Sequence, residues 1–131
     1  MTPEQAAILA GSVTIPTVAW VVAALEPGEA TRRQVSGQVA HYLAAPGYAD
    51  MFVAAGFGDL VAIAREGMPV SELAGRVPVE LLSSVALYGS RVDIDERIER
   101  YRSAGVDLAF VPPTAEDPAG ERVLSELRRI V

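Results

Sequence analysis

The stretch VAWVVAAL, residues 18–25, decides the fold because it is apolar at every position. A strand with one face in water alternates polar and apolar side chains, whereas a strand buried between two layers of helices is apolar throughout. The stretch therefore predicts a parallel strand over residues 13–25 that is buried on both faces. The sequence Glu26-Pro27-Gly28 follows it and predicts the turn that ends the strand.

The segments on either side of this strand predict helices and two further strands. Residues 3–9 predict a short helix, and residues 29–45 predict a crossover helix that stops at Pro46-Gly47. The other predicted helices lie at 48–55, 60–66, 69–74, 78–82 and 90–104, and a last one follows Asp117-Pro118 with an apolar stripe of Val123, Leu124, Leu127 and Ile130. The other predicted strands lie at 85–88 and 108–111.

Apolar strands that alternate with helices are typical of βα units in a parallel sheet. The 131 residues have the length of one domain, and no linker or low-complexity stretch divides them. We therefore expect a single α/β domain over residues 1–131. It would be built on about three parallel strands with flanking helices and a helical insertion.

Composition excludes several classes of function. The 11 cationic residues are all arginine and stand against 17 acidic ones, and a net charge of -6 argues against nucleic acid and against an anionic membrane as partners. The sequence has no Cys, no Lys and one His, which removes thiolate and lysine chemistry and most zinc sites. The apolar run is far shorter than the ~20 residues that span a bilayer. We expect a cytoplasmic protein without a metal.

Two segments resemble a known family. The segment YGSRVDIDERI at 88–98, continued by YRSAGVDL at 101–108, resembles the last βαβ unit of the luciferase-like monooxygenase family, with its pattern of roughly G-S-x-x-E-V-x-x-R-[IL]-x-x-Y-x-x-A-G-V-D. The segment AHYLAAPGY at 40–48, followed by Gly56-Phe57, is similar to the mid-barrel segment of the deazaflavin-using branch. Together the likenesses cover most of residues 13–113.

The resemblance implies part of a (β/α)8 barrel and redox chemistry on a flavin. A whole barrel takes ~250 residues, and the likeness is to the C-terminal part, with about three of the eight strands. It implies a truncated or split oxidoreductase that uses FMN or coenzyme F-420 for hydride transfer or monooxygenation of a small organic substrate. A partial barrel has open edges and an uncovered inner face. We therefore expect a dimer of identical chains, or a partner that supplies the N-terminal half of the barrel.

The candidate cofactor residues are those expected at the carboxyl ends of the strands, where such barrels carry their chemistry. Gly89, Ser90 and Arg91 begin a helix and could hold a phosphate or carboxylate of a cofactor tail through backbone N–H groups. Glu26 could serve as a general base or bond to a cofactor. The simpler alternatives are a capping box of Ser90 and Asp93, and a turn residue at Glu26.

Aromatic residues supply the candidate substrate pocket. Tyr42, Tyr48 and Tyr88 are expected to line it, and the alternative is that these rings belong to the core. His41 is the one imidazole and could act in acid–base chemistry, or it could be structural.

A second hypothesis belongs to a different class of protein. The chain could be a non-catalytic α/β domain that dimerises through its exposed sheet. Val18, Trp20, Val22 and the predicted strand at 85–88 would then be buried between two subunits instead of around a pocket.

Overall fold

The computed structural model describes residues 1–128, so Ile130 of the predicted apolar stripe lies outside the described residues. The helices are α1 (Pro3–Ser12), α2 (Glu29–Tyr42), α3 (Ala49–Ala54), α4 (Gly58–Arg65), α5 (Val70–Ala74), α6 (Val79–Val85), α7 (Arg91–Ser103) and α8 (Glu121–Leu127). The strands are β1 (Thr17–Leu25), β2 (Leu87–Gly89) and β3 (Val106–Val111). Within residues 1–128 no helix has both the length and the apolarity needed to cross a bilayer.

The three strands form one parallel sheet in the order β2-β1-β3. The carboxyl half of β1 pairs with β2, where Leu25 lies opposite Gly89, and the amino half pairs with β3, where Thr17 lies opposite Val106. The prediction of an α/β domain with three parallel strands is thus confirmed. In a closed βα barrel, strands that follow one another in the chain are neighbours, whereas an order with β1 between β2 and β3 is that of an open, doubly wound sheet.

This strand order places helices on both sides of the sheet. The chain leaves β1 in one direction to reach β2 and passes back across β1 to reach β3, so two right-handed crossovers lie on opposite faces. Ala19, Val21, Ala23 and Leu25 of β1 pack with α1, α7 and α8. Ala24 points the other way and packs with the helices of the long crossover, α2 to α6. The domain therefore has two apolar cores separated by the sheet.

Local sequence signals explain where the main helices start and stop. The predicted capping box at α7 is confirmed, since Ser90 Oγ accepts from the N–H of Asp93 at 3.3 Å and the Asp93 carboxylate accepts from the N–H of Ser90 at 2.9 Å. Thr2 and Gln5 form a second box at α1. Gly105, with φ +73°, follows the end of α7 as predicted.

Several predicted boundaries are wrong by a few residues. β1 begins at Thr17 and not at residue 13, because Pro16 has no N–H to give to the ladder. β2 begins at Leu87 and not at residue 85, because α6 continues to Val85. Leu124 was expected in the buried stripe of α8 but is 40% exposed.

The predicted burial of β1 on both faces is wrong for its amino half. Val18 is 52% exposed and Trp20 is 78% exposed. Val21, whose side chain lies on the opposite side of β1, is only 3% exposed. The reason is that α2 to α6 cover the carboxyl half of this side of the sheet and leave the amino half uncovered. We call this surface the open face; it consists of the exposed Val18 and Trp20, the half-buried Val22 at its border with the helices, and their β3 neighbours Asp107, Ala109 and Val111.

The opposite surface of β1 is called the closed face and consists of Ala19, Val21, Ala23 and Leu25. Each of these side chains is buried beneath α1, α7 and α8. Helix α1 is held against α7 by a salt bridge between Glu4 and Arg100. The spacing of Glu96 and Arg100 on α7 also suits a salt bridge, but the Arg100 guanidinium pairs with Glu4 of α1 instead.

Candidate functional site

The predicted cofactor residues come together at the carboxyl edge of the sheet. The register sets Leu25 opposite Gly89, and the N–H of Glu26 donates to the carbonyl of Gly89 at 2.8 Å. Ser90 and Arg91 follow as the N-cap and first residue of α7. Gly89 has φ +137°, a conformation that side chains rarely adopt, and this glycine lets β2 turn directly into the helix.

The two hydrogen-bond donors of Ser90, at the start of α7, are already used by the chain itself. The N–H and the hydroxyl of Ser90 both donate to Asp93 Oδ2, at 2.9 and 2.6 Å, and these bonds lower the pKa of the Asp93 carboxyl from its ordinary value. A Cβ at Gly89 would lie 2.9 Å from the same oxygen, so the Asp93 carboxylate fills the space beside the turn. A cofactor phosphate does not fit here while Asp93 holds this position.

The two charged members of the predicted cofactor set also have partners. Arg91 Nε bonds to Asp95 at 3.1 Å, and its Nη1 bonds to Glu126 at 3.0 Å. Glu26 forms a 3.4 Å salt bridge with Arg122. These contacts tie α8 to α7 and to the end of β1, so the geometry gives both residues a structural role.

The segment 112–120, which joins β3 to α8, is fastened to α2 by Gln34. Gln34 Oε1 accepts from the N–H groups of Thr114 and Ala115, at 3.1 and 2.9 Å. Its Nε2 donates to the Thr114 hydroxyl at 3.3 Å. The segment therefore lies across the carboxyl edge of the sheet, between the two layers of helices.

Glu116 of this segment occupies the start of α2. Its Oε2 accepts from the N–H of Thr31 at 2.9 Å, and a Cβ at Gly28 would collide with its carboxylate. The hydrogen bonds from Thr31 lower the pKa of Glu116. In doubly wound sheets this crevice, between the ends of β1 and β3, is where ligands bind. Here it measures about 50 Å³ and is filled by the chain's own side chain.

The predicted substrate residues divide into two places. Tyr42 and Tyr48 contact each other, with ring centroids 4.8 Å apart and planes inclined by 43°, and each is about half exposed. Tyr88 lies in the core beneath α2, and burial raises the pKa of its hydroxyl. His41 is exposed on α2. The structure thus brings together two of the three tyrosines and separates the third from them.

Tyr42 and Tyr48 form one wall of a groove beside the open face. The groove has a volume of about 410 Å³, within the usual range of about 300–1,000 Å³ for small-molecule sites. Trp20 forms another wall, and most of the other lining side chains are apolar. Flat aromatic walls of this kind favour a planar ring, which stacks on them. We call this the aromatic groove; its lining residues include Val22, Gln38, Val39, Met51, Phe52 and Val85.

Sequence reasoning did not find the roles of Gln34, Thr31 and Glu116. The hydrogen bonds between Thr31 and Glu116 join residues 85 positions apart, and no local sequence pattern predicts such a pair. Trp20 was expected at a subunit interface, and its place in the wall of the groove was not foreseen. The sequence did contain a signal for an aromatic wall, because Trp20 has the largest ring in the chain and lies in a predicted strand beside valines.

No protein-family model matches this chain, and comparison with curated proteins and with solved structures finds no match.

Proposed function

We propose that this chain is part of a cytoplasmic flavin- or coenzyme F-420-dependent oxidoreductase of the luciferase-like class, which works with a second polypeptide that completes the barrel. The sequence likeness at 40–48 and 88–108 motivates the class. The single observation that carries the proposal is the aromatic groove, because Trp20, Tyr42 and Tyr48 offer flat walls to a ring at the border of an uncovered sheet face.

The residues present fit the ring of such a cofactor better than its anionic tail. The groove is apolar and about 410 Å³ in volume, which suits a planar aromatic group. The start of α7 does not suit a phosphate, because Asp93 occupies the donors of Ser90. The tail would therefore be held by groups of the completing polypeptide.

The bound cofactor would supply the redox chemistry by accepting or donating a hydride. The chain's own contribution is to bind and orient the ring. Trp20 and the Tyr42–Tyr48 pair would stack on it and exclude water from one side, and Gln38 on the groove wall offers an amide to a polar ring edge.

The strand order sets a condition on barrel completion. In a barrel β2 would lie beside β3, whereas β1 separates them here. A completing polypeptide must therefore draw β3 away from the edge of β1, breaking the pairing that runs from Thr17 to Val22. Amide hydrogen exchange in β3 would report this rearrangement directly.

The test mixes the chain with FMN or with coenzyme F-420, alone and with a candidate N-terminal barrel half, and follows cofactor fluorescence. We expect saturable binding that weakens at least about tenfold in Trp20→Ser, the equivalent of ~1.4 kcal/mol. Val92→Ser is the control, since Val92 is an exposed apolar residue on α7, away from the groove. No binding in any mixture would remove the oxidoreductase proposal.

A second candidate function is favoured by the exposure of Trp20. The chain would be a non-catalytic α/β domain that dimerises through the open face, with a second copy as the partner. The open face carries the projecting ring of Trp20 and borders the aromatic groove. A two-fold interface brings the same surface of both copies together, so a ring and the groove that receives it must lie on one surface. Trp20 would supply about a fifth of the ~800 Å² that each partner of a stable dimer buries.

Sedimentation velocity over a range of chain concentrations tests the second candidate. We expect a dimer for the natural chain and for Val92→Ser, and a monomer for Trp20→Ser. A monomer at every concentration would rule out the second candidate and leave the first intact. A dimer that binds neither cofactor, with or without the barrel half, would favour the second over the first.

A further inference from the structure

A second cleft, which shares no lining residue with the aromatic groove, lies between α1, the end of α3, α6 and α7. It measures about 550 Å³ and opens to solvent. Arg97 and Arg100 of α7 line one side, and Ser83 and Ser84 of α6 line another. None of the residues that the sequence likeness singled out for cofactor or substrate binding belongs to it.

Arg97 is the unusual group in this cleft. Its side chain is largely buried, and its Nε is buried with no hydrogen-bond partner within residues 1–128. Nor does it form a salt bridge within those residues, whereas Arg100, one turn further along α7, pairs with Glu4. Burial lowers the pKa of Arg97. A guanidinium in a protein stays charged, so the cleft contains a cation whose charge is not matched by a bonded carboxylate.

The remaining polar groups leave Arg97 as the main donor. The hydroxyl of Ser84 donates to the carbonyl of Leu81 at 2.8 Å, and that of Ser83 donates to the carbonyl of Tyr88 at 3.5 Å. Both hydroxyl groups therefore already donate their hydrogen to the backbone. Two carboxylates also line the cleft: Glu4, which Arg100 engages, and the exposed Glu80.

We propose that this cleft binds the oxyanion group of a small molecule, a carboxylate or a phosphate, through the guanidinium of Arg97. The planar fork of an arginine matches either group with two parallel hydrogen bonds. The bound oxyanion would neutralise the buried cation and give its guanidinium a partner. The proposal does not depend on the aromatic groove or on any redox activity.

The experiment is a titration of the ¹⁵N-labelled chain with acetate and, separately, with inorganic phosphate at constant ionic strength. We expect saturable shifts of the Arg97 Nε–H and of the Ser84 amide, with dissociation constants on the order of 1–10 mM. Tighter binding of phosphate would identify a phosphoryl ligand, and tighter binding of acetate a carboxylate. Shifts that fail to saturate for both anions would overturn the proposal.

Two variants locate the binding. Arg97→Gln should abolish the saturable shift of the Ser84 amide, while Arg65→Gln, which changes an exposed arginine on α4, should leave it unchanged. Glu80→Gln removes an exposed carboxylate from the cleft wall and should tighten binding about threefold. This variant keeps the test decisive if Arg97→Gln does not fold. Affinity that neither variant alters contradicts the proposal.

Discussion

The two faces of β1 carry nearly the same residue types but differ in how far they are buried. Val21 on the closed face is 3% exposed, whereas Val18 on the open face is 52% exposed. Three helices from the two ends of the chain, α1, α7 and α8, converge on the closed face. The helices of the long crossover pack mainly on one another and on the carboxyl half of the other side. The apolar sequence thus predicts burial of both faces, but the chain's own helices cover only one of them along its whole length.

The largest effect is expected for a core residue on the side of the closed face. Leu87 of β2 has no exposed surface and packs in the core with α7. Leu87→Ala should lower the free energy of unfolding by about 3 kcal/mol, because it removes buried methyl groups and leaves a cavity. Urea unfolding followed by circular dichroism measures the change. A loss below ~1 kcal/mol would mean that this core is not closely packed.

A matched pair on β1 sharpens the comparison. Val21→Ala should cost about 2 kcal/mol, and Val18→Ala should cost less than ~0.5 kcal/mol in the dilute chain, because only the first removes buried surface. Both variants have the same chemistry and lie three residues apart in one strand. Equal losses in urea unfolding would show that the two faces are covered alike.

The N-terminal cap of α7 stabilises one of the helices that cover the closed face. Ser90→Ala removes the side-chain acceptor for the N–H of Asp93 and should cost about 1 kcal/mol. Ser71→Ala, at an exposed serine on α5, is the control and should cost much less. If Ser90→Ala left stability unchanged but weakened FMN binding, the serine would belong to a cofactor site instead of a cap.

The smallest effect is expected at the segment over the carboxyl edge. Bonds from Thr31 lower the pKa of Glu116 in the folded chain below its ordinary value of 4.5. The stabilisation is therefore present above pH 4.5 and is lost as the pH falls through the lower, folded-state pKa. Glu116→Gln lacks this titration, so its stability should fall less steeply with acid than that of the natural chain. Parallel curves of melting temperature against pH would contradict this.

Much of the fold follows from local signals in the sequence. The apolar run at 18–25 predicts β1, the Ser90–Asp93 pair predicts the start of α7, and the glycines at the helix ends predict their stops. The order of the strands could not be predicted, because each of the three is apolar and short and nothing local says which edge of β1 accepts β3.

Less of the candidate site could be predicted. Glu26, Gly89 and Ser90 were expected together, and the pairing of β1 with β2 brings them together. Asp93 accepts the hydrogen bonds of Ser90, and Arg122 pairs with Glu26. The second contact joins residues 96 positions apart, so no spacing rule predicts it. The exposure of Trp20 likewise depends on where α2 to α6 pack, and that is decided by the whole crossover.

We infer that the chain leaves the open face uncovered for an occupant. Trp20 is the one tryptophan in the sequence, so acrylamide quenching of its fluorescence reports on this face alone. We predict quenching close to that of free tryptophan amide in the dilute chain, and protection when the chain is concentrated or a planar cofactor is added. A tryptophan already protected in the dilute chain would show that the chain's own helices cover this face, and would contradict the account.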